Sequence, residues 1–242
     1  MTTDTITLHQ YQASPFCAKI RRVLYYKYLN FEVVNYALLD ISKVRKLSTI
    51  GKLPVLEHKG NLIADSSKIT EYLDELTPDK PLIPASSIHR AHAHIIEDWA
   101  DESLYFYDVT MRCWDNNITL LEDDLLIENP GFFGRLIRPI VGKALRKTTA
   151  TQGVGRKSKE QVLEDVDAHF SALESLLENN DWLVGGQLSI ADISVASMCT
   201  VMDRADEGRE LMAGFPRLCD WRNRVDELTV PSGVSREDIA LS

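Results

Sequence analysis

The segment at residues 12–22, QASPFCAKIRR, constrains the fold more than any other part of the chain. It follows a β-rich run at residues 5–11 and opens an apolar helical pattern. Ser14 stands where a helix N-cap is expected, and Pro15 stands at the first helical position, where no N–H is needed. The chain is therefore predicted to run from a strand through a turn into a helix. The positive end of that helix favours an anion such as a thiolate, although Ser14 could also serve only as a cap.

The predicted helix repeats its apolar residues at helical spacing. Its apolar positions are Ile20, Val23, Leu24 and Tyr28. The basic positions between them are Lys19, Arg21, Arg22 and Lys27. This pattern predicts a helix that packs against a sheet through one face.

The next part of the chain continues as a small α/β domain. The predicted elements are a strand at 31–38, a short helix at 42–49, a β-hairpin with strands at 53–58 and 62–64, and a helix behind residue 65. Pro54 heads the first hairpin strand, a position that proline tolerates. The order strand, helix, strand, helix, hairpin, helix predicts a thioredoxin-like domain with one parallel strand pair.

A proline-rich segment at residues 77–84 then separates two regions of different character. Beyond it, strand signals give way to long helical patterns. We therefore predict a thioredoxin-like domain at residues 1–79 and an all-α domain at residues 80–242. Within the second domain, Ser189 and Asp192 form a close variant of the capping box and predict a buried helix.

Composition narrows the possible functions. The formal net charge of −9 argues against a nucleic-acid partner, which needs a concentrated basic surface. The four cysteines show neither zinc-ligand spacing nor a disulfide framework. The start of the chain lacks the features of a signal peptide, and no stretch is apolar enough to span a membrane. We expect a cytoplasmic protein.

Four motifs resemble the cytosolic glutathione S-transferases, and the resemblance extends over almost the whole chain. Residues 12–17 are similar to the active-site serine segment of tau-type and zeta-type members, and residues 51–56, GKLPVL, are similar to the segment with a cis-proline. Asp65-Ser66 resembles the pair that holds the γ-glutamyl end of glutathione, and residues 182–192 resemble the family's capped core helix. The family resemblance implies a homodimer.

The resemblance also implies a role for each site residue. Ser14, rather than Tyr11 or Cys17, donates a hydrogen bond to the glutathione sulfur. Leu53, which precedes the cis-Pro54, pairs its backbone with the cysteinyl part, and Lys52 reaches the glycyl carboxylate. The same resemblance assigns the ammonium group to Asp65 and the γ-glutamyl carboxylate to Ser66. The opening of a helix at Ser66 independently favours a carboxylate.

A long stretch between residues 114 and 161 departs from the family pattern. Within it, residues 152–158, QGVGRKS, resemble a feature of a divergent branch related to the metaxins and failed-axon-connections proteins. Residues 135–159 hold eight basic residues and no acidic one, with Leu136, Ile137, Ile140, Val141, Ala144 and Leu145 at helical spacing on one face. This segment could contact an anionic membrane surface. We favour the alternative that it folds against the ten acidic residues between Glu97 and Glu128.

Histidine, aromatic and cysteine side chains form three further candidate groups. His89, His92 and His94 do not share one helical face, so no metal site is predicted. Tyr105, Tyr107, Arg112 and Trp114 lie where the family lines its hydrophobic-substrate pocket, but they could equally be core or interface residues. Cys17 is expected to be a packed small residue.

These inferences predict an enzyme that uses glutathione as co-substrate and transfers its thiolate to a small hydrophobic electrophile. The alternative is a non-catalytic binding or scaffold protein that uses residues 110–160 as its interaction surface. Neither metal, nucleic acid nor membrane is an expected partner.

Overall fold

The N-terminal part of the chain is built on a four-stranded sheet. The structure is a computed structural model that describes residues 4–129 and 131–241. The strands are β1 (Ile6–Gln10), β2 (Phe31–Asn35), β3 (Val55–His58) and β4 (Asn61–Ala64). Their order is β2-β1-β3-β4, in which β1 and β2 are parallel and the other pairs are antiparallel. The predicted thioredoxin-like arrangement is confirmed.

Three helices accompany this sheet: α1 (Pro15–Tyr26), α2 (Ile41–Leu47) and α3 (Ser66–Leu76). The predicted strand, turn and helix around Ser14 are all present, with Ser14 as the N-cap of α1. The prediction of a longer second strand was wrong, because β2 ends at Asn35, where its pairing with β1 also ends.

The prediction that α1 buries a single face was also wrong. Its basic residues Lys19, Arg21 and Arg22 are as deeply buried as its apolar ones, whereas Tyr28 lies beyond the helix and is 80% exposed. The guanidinium of Arg21 donates to the side chain of Gln10 and to a backbone carbonyl near the C-terminal end, each at 2.6 Å. The C-terminal helices cover the side of α1 that faces away from the sheet, and they supply the partners that these cations need.

The rest of the described chain is helical. The helices are α4 (Ser87–Trp99), α5 (Tyr105–Arg112), α6 (Ile118–Leu125), α7 (Phe132–Gln152), α8 (Lys159–Leu176), α9 (Ile190–Met202), α10 (Asp206–Met212), α11 (Pro216–Thr229) and α12 (Arg236–Leu241). A π-helical turn at Ala100–Leu104 joins α4 to α5. A 3₁₀ turn at Val154–Arg156 follows α7.

Helix α9 forms the centre of the helical part, and every one of its residues is buried. The predicted capping box is present: the carboxylate of Asp192 accepts from the backbone N–H and the hydroxyl of Ser189. The same carboxylate accepts from the Leu183 N–H and from the indole N–H of Trp221, each at 2.8 Å. One buried side chain thus ties the start of α9 to α11 and to the preceding loop.

The two parts of the chain share one apolar core. Leu8 and Ile20 of the N-terminal part belong to the same buried cluster as Val195 and Trp221 of the C-terminal part. The hydrophobic effect therefore holds the sheet and the helices together along α1 and α9.

The basic segment at residues 135–159 contacts acidic residues of its own domain, as predicted. Arg138 pairs with Asp123, and Arg146 pairs with Asp115 at 2.7 Å. Its apolar residues, however, do not share one buried face: Leu136 and Ile140 are 60% and 65% exposed. No helix within the described residues is long and apolar enough to cross a lipid bilayer.

Candidate active site

A cleft of about 500 Å³ opens between the N-terminal part and helices α5, α6 and α7. Ser14 lines it together with the neighbouring residues of the β1–α1 turn. The apolar side chains that line the cleft are Phe16, Leu38, Tyr105, Phe106, Val109, Leu121, Leu125, Val141 and Leu145. The cleft can therefore hold an apolar molecule beside the Ser14 hydroxyl.

A smaller cavity of about 120 Å³ adjoins this cleft. The predicted site residues Lys52, Leu53, Pro54, Asp65 and Ser66 all line it. Lys52 and Leu53 also line the larger cleft, so the two spaces adjoin. The fold thus brings all six predicted site residues, Ser14 included, to two adjoining spaces.

The local structure at Ser14 leaves its hydroxyl able to donate a hydrogen bond. Its Oγ accepts from the backbone N–H of Cys17 at 3.4 Å, which is long for such a bond. Since a hydroxyl both accepts and donates, its proton remains for a further partner. The N-terminus of α1 adds a positive potential at the same place.

The thiol of Cys17 is fully buried, and it packs with Val44, Leu53 and Val55. Burial raises the pKa of this thiol. The prediction that Cys17 is a packed residue is confirmed.

Two backbone features shape the smaller cavity. The peptide bond between Leu53 and Pro54 is cis, and both residues lie at the wall of the cavity. Asp65 has a φ of 81°, a conformation that few residues other than glycine adopt. Its carboxylate caps α3 by accepting from the N–H groups of Ser67 and Lys68 at 3.1 and 3.2 Å.

Two acidic residues of the site were not predicted. Asp101 and Glu102 come from the π-helical turn and line both spaces. They stand about 36 residues from Asp65 in the sequence, and no local motif marks them. Three carboxylates therefore surround the smaller cavity.

Asp101 belongs to a buried ion-pair network. The ammonium group of Lys19 donates to Glu97 at 2.7 Å and to Asp101 at 2.9 Å, and the hydroxyl of Ser67 donates to Glu97. Burial raises the pKa of Asp101 to about 6, although Lys19 opposes the rise. The network joins α1 and α3 to α4 directly behind the cavity.

The four residues predicted to line a hydrophobic pocket, Tyr105, Tyr107, Arg112 and Trp114, do not all lie in the same pocket. Tyr105 and Arg112 line the cleft. Tyr107 instead donates its hydroxyl to Asp165, and Trp114 lies under the ammonium group of Lys159 at 4.7 Å in a different pocket. Within residues 4–129 and 131–241, no group of three or more potential ligands is arranged to hold a metal ion.

Comparisons with known proteins agree with this architecture. A family profile described as the glutathione S-transferase N-terminal domain matches residues 8–81, and one for the C-terminal domain matches residues 156–224. The chain is 26% identical to Protein LigF of Sphingobium sp., across 92% of this chain and 90% of that protein. It is 25% identical to the isoprene-epoxide–glutathione S-transferase of Rhodococcus sp., across 88% and 91% of the two chains.

Another relative and two solved structures extend the likeness. The FtsZ-localized protein A of Caulobacter vibrioides is 26% identical across 81% of this chain and 77% of that protein. A glutathione S-transferase structure from Rhodospirillum rubrum superposes with a TM-score of 0.68 at 21% identity, across 97% and 99% of the chains. One from Methylobacillus flagellatus with glutathione bound has a TM-score of 0.64 at 22% identity, across 98% and 100%. Because the two profiles together match more than half of the sequence, this chain belongs to the cytosolic glutathione S-transferase superfamily.

Proposed function

We propose that this protein is a glutathione transferase that joins the glutathione thiolate to a small apolar electrophile. The observation that carries the proposal is the position of Ser14, whose hydroxyl caps a helix at the wall of an apolar cleft that adjoins a small polar cavity. A sulfur atom beside Ser14 would receive a hydrogen bond and the positive potential of α1, both of which lower a thiol pKa. Relatives with glutathione transferase names support the same reaction class.

In this proposal the tripeptide occupies the smaller cavity. Asp65 and Asp101 bind the ammonium group of the γ-glutamyl end, since both carboxylates line that cavity. Ser66 and the first N–H groups of α3 bind its carboxylate. The backbone of Leu53 pairs with the cysteinyl part, and Lys52 binds the glycyl carboxylate.

The electrophile would occupy the apolar cleft. The aromatic and aliphatic side chains of α5, α6 and α7 exclude water there, which favours a hydrophobic acceptor. Ser14 lines this cleft, so a sulfur that reaches it from the tripeptide cavity would face the acceptor directly.

We also propose a cytoplasmic homodimer. Ile88 and Ile95 are 58% and 63% exposed and lie two turns apart on the same face of α4. Such an apolar pair on the surface suits an interface between two copies. The four cysteines are all free, which accords with a reducing compartment.

The test is the dependence of the conjugation rate on pH. Removing one charge-assisted hydrogen bond costs about 1.5–3 kcal/mol, so Ser14→Ala should lower turnover near neutral pH roughly tenfold to a hundredfold. The rate of this variant should recover as pH rises, because hydroxide then generates the thiolate. Binding of glutathione, measured by calorimetry, should change much less.

Two control variants separate the alternatives. Cys17→Ala should retain the wild-type profile, because this buried thiol lies outside the cavity. In Tyr11→Phe the profile should also persist, since Ser14 and not Tyr11 stands at the N-terminus of α1, where the helix dipole favours the thiolate. An unchanged profile in Ser14→Ala, with activity lost in Cys17→Ala, would assign the chemistry to the cysteine.

A scaffold role remains the second candidate, because α7 carries an exposed apolar stripe. Phe132, Leu136 and Ile140 are 80%, 60% and 65% exposed and recur every four residues. Under this alternative, glutathione binds but no electrophile panel gives turnover, while substitution of the stripe with serine abolishes partner binding. We expect no binding to anionic vesicles at moderate ionic strength, because Arg138 and Arg146 already pair with carboxylates.

A further inference from the structure

One buried arginine connects the C-terminal helix α12 to the turn that carries Ser14. The guanidinium group of Arg21 on α1 donates to the side-chain oxygen of Gln10, at the end of β1, and to the backbone carbonyl of Ile239 in α12, each at 2.6 Å. It also donates to the carbonyl of Gln12, in the β1–α1 turn, at 3.4 Å. A single side chain therefore joins α12 to the residues that lead into Ser14.

The charge of Arg21 makes these contacts depend on one another. Arg21 is only 1% exposed, and the three acceptors named above are uncharged oxygens. Burial lowers the pKa of Arg21 to about 10, so the guanidinium group remains a cation near neutral pH. A buried cation is costly unless polar groups surround it, and a charged donor makes stronger hydrogen bonds than a neutral one. Loss of one acceptor should therefore disturb the contacts to the other two.

Helix α12 presents its C-terminal end to this cation. The helix runs from Arg236 to Leu241, so the carbonyl of Ile239 lies in its last turn, where carbonyl groups have no partner within the helix. The negative end of the helix dipole also favours a cation at this place. The backbone of α12 is thus a suitable partner for Arg21.

Ion pairs and burial hold α12 against the rest of the chain. Arg236 pairs with Asp226 of α11 at 2.5 Å, and Glu237 pairs with Arg204 at 2.6 Å. The side chain of Ile239 is fully buried. The residues of α12 line neither the apolar cleft nor the smaller cavity. An effect of α12 on the site must therefore pass through α1 and the turn before it.

We propose that α12, acting through Arg21, positions the β1–α1 turn so that the hydroxyl of Ser14 is held at the wall of the cleft. Arg21 is then a positioning residue, and the C-terminal helix supports the active site without touching a ligand. The expected effect on turnover rests on the proposed function, whereas the expected effect on the turn does not.

Hydrogen exchange in the turn tests the coupling without any reaction. The N–H of Ser14 donates to the carbonyl of Tyr11 at 3.1 Å, so its exchange reports opening of the turn. Arg21→Lys keeps the charge but loses the planar set of donors, and Ile239→Asp places a charge at the buried position that docks α12. Each variant should speed exchange in residues 10–18 roughly tenfold to a hundredfold, as expected for the loss of one charged hydrogen bond.

Arg22→Lys is the matched control. Arg22 is as deeply buried as Arg21 and follows it on α1, but it donates to side chains of α9 and α11. Its substitution should lower the free energy of unfolding without changing exchange in the turn. Arg21→Lys and Ile239→Asp disturb the same contact from its two sides, so either one suffices once circular dichroism shows that it is folded.

Steady-state kinetics give a second readout. Arg21→Lys should lower kcat about tenfold with little change in the KM for glutathione, because the turn holds the catalytic hydroxyl and other segments hold the tripeptide. In the double variant Ser14→Ala/Arg21→Lys, kcat should be close to that of Ser14→Ala alone, since the hydroxyl that Arg21 positions is already absent. A residue that only stabilises the fold would instead multiply the two losses.

Several results would overturn the proposal. One is wild-type exchange in the turn of a folded Arg21→Lys or Ile239→Asp variant. Another is an equal loss of kcat in Arg22→Lys, and a third is a double variant in which the two losses multiply. A wild-type protein that binds glutathione without turnover contradicts the proposed function alone, because faster exchange in the two variants would still support the coupling between α12 and the turn.

Discussion

The buried ammonium group of Lys19, behind the tripeptide cavity, offers a quantitative test of the structure. Lys19 has no exposed side-chain surface, and it neutralises Glu97 and Asp101, which are 9% and 12% exposed. Lys19→Met keeps the length of the side chain but leaves two carboxylates close together without a cation. Breaking a buried ion pair in this way costs about 3–5 kcal/mol, so we expect a deficit of that size in the free energy of unfolding near pH 8.

The loss of stability in Lys19→Met should become smaller as pH falls. The pKa of Asp101, already about 6, should rise further without Lys19. A carboxyl group whose pKa is higher in the folded protein than its unfolded value of about 3.9 lowers the stability of the protein as pH rises from the unfolded pKa to the folded pKa. A higher folded pKa extends this loss of stability to higher pH. A further rise of one or two units corresponds to about 1–3 kcal/mol, so the deficit near pH 5 should be smaller by that amount.

Urea unfolding at both pH values measures these differences. The double variant Lys19→Met/Asp101→Asn should recover part of the stability and show a weaker pH dependence. Lys43→Met is the matched surface control, because Lys43 pairs with Asp40 at 2.7 Å but is 67% exposed. This pair is screened by solvent, so its loss should have little effect. Equal deficits for Lys19→Met at the two pH values, or a comparable loss in Lys43→Met, would refute the reasoning.

Two further predictions concern buried groups outside the cavity. Asp192→Ala should lower the free energy of unfolding by about 3–6 kcal/mol, since it leaves at least two buried donors without an acceptor, whereas Ser189→Ala removes one hydrogen bond to Asp192 and should cost less than half as much; urea unfolding of both compares them. Comparable losses in the two variants would contradict the capping role of Asp192. Cys17 should react with iodoacetamide only at the rate of unfolding, because its thiol is buried and its pKa is raised. Mass spectrometry that finds Cys17 modified in the folded protein as fast as a free thiol would contradict this burial.

The sequence predicted those elements whose signals lie within a few residues of one another. Ser14 and Pro15 mark the start of α1, the box at Ser189 and Asp192 marks the start of α9, and both helices begin where expected. The hairpin around Lys59-Gly60 was likewise found from its turn residues. These features depend on local hydrogen bonds and backbone preferences, which act over about one helical turn.

Family resemblance supplied the candidate site residues, and the fold brings all six to two adjoining spaces. The roles of these residues in binding and catalysis remain predictions. The resemblance did not extend to Asp101 or Glu102, which carry no motif and reach the cavity only because the π-helical turn passes beside α3.

Tertiary structure alone decided which charged residues are buried. Lys19 and Arg22 sit between apolar residues in a pattern typical of a solvent-exposed helix face, yet both are buried because α4 and α11 supply carboxylates from 78 and 204 residues away. On α7 the reverse holds, since Leu136 and Ile140 face solvent where the pattern predicted burial. The periodicity of a helix specifies which side chains share a face, but whether that face meets water depends on elements brought together from distant parts of the chain.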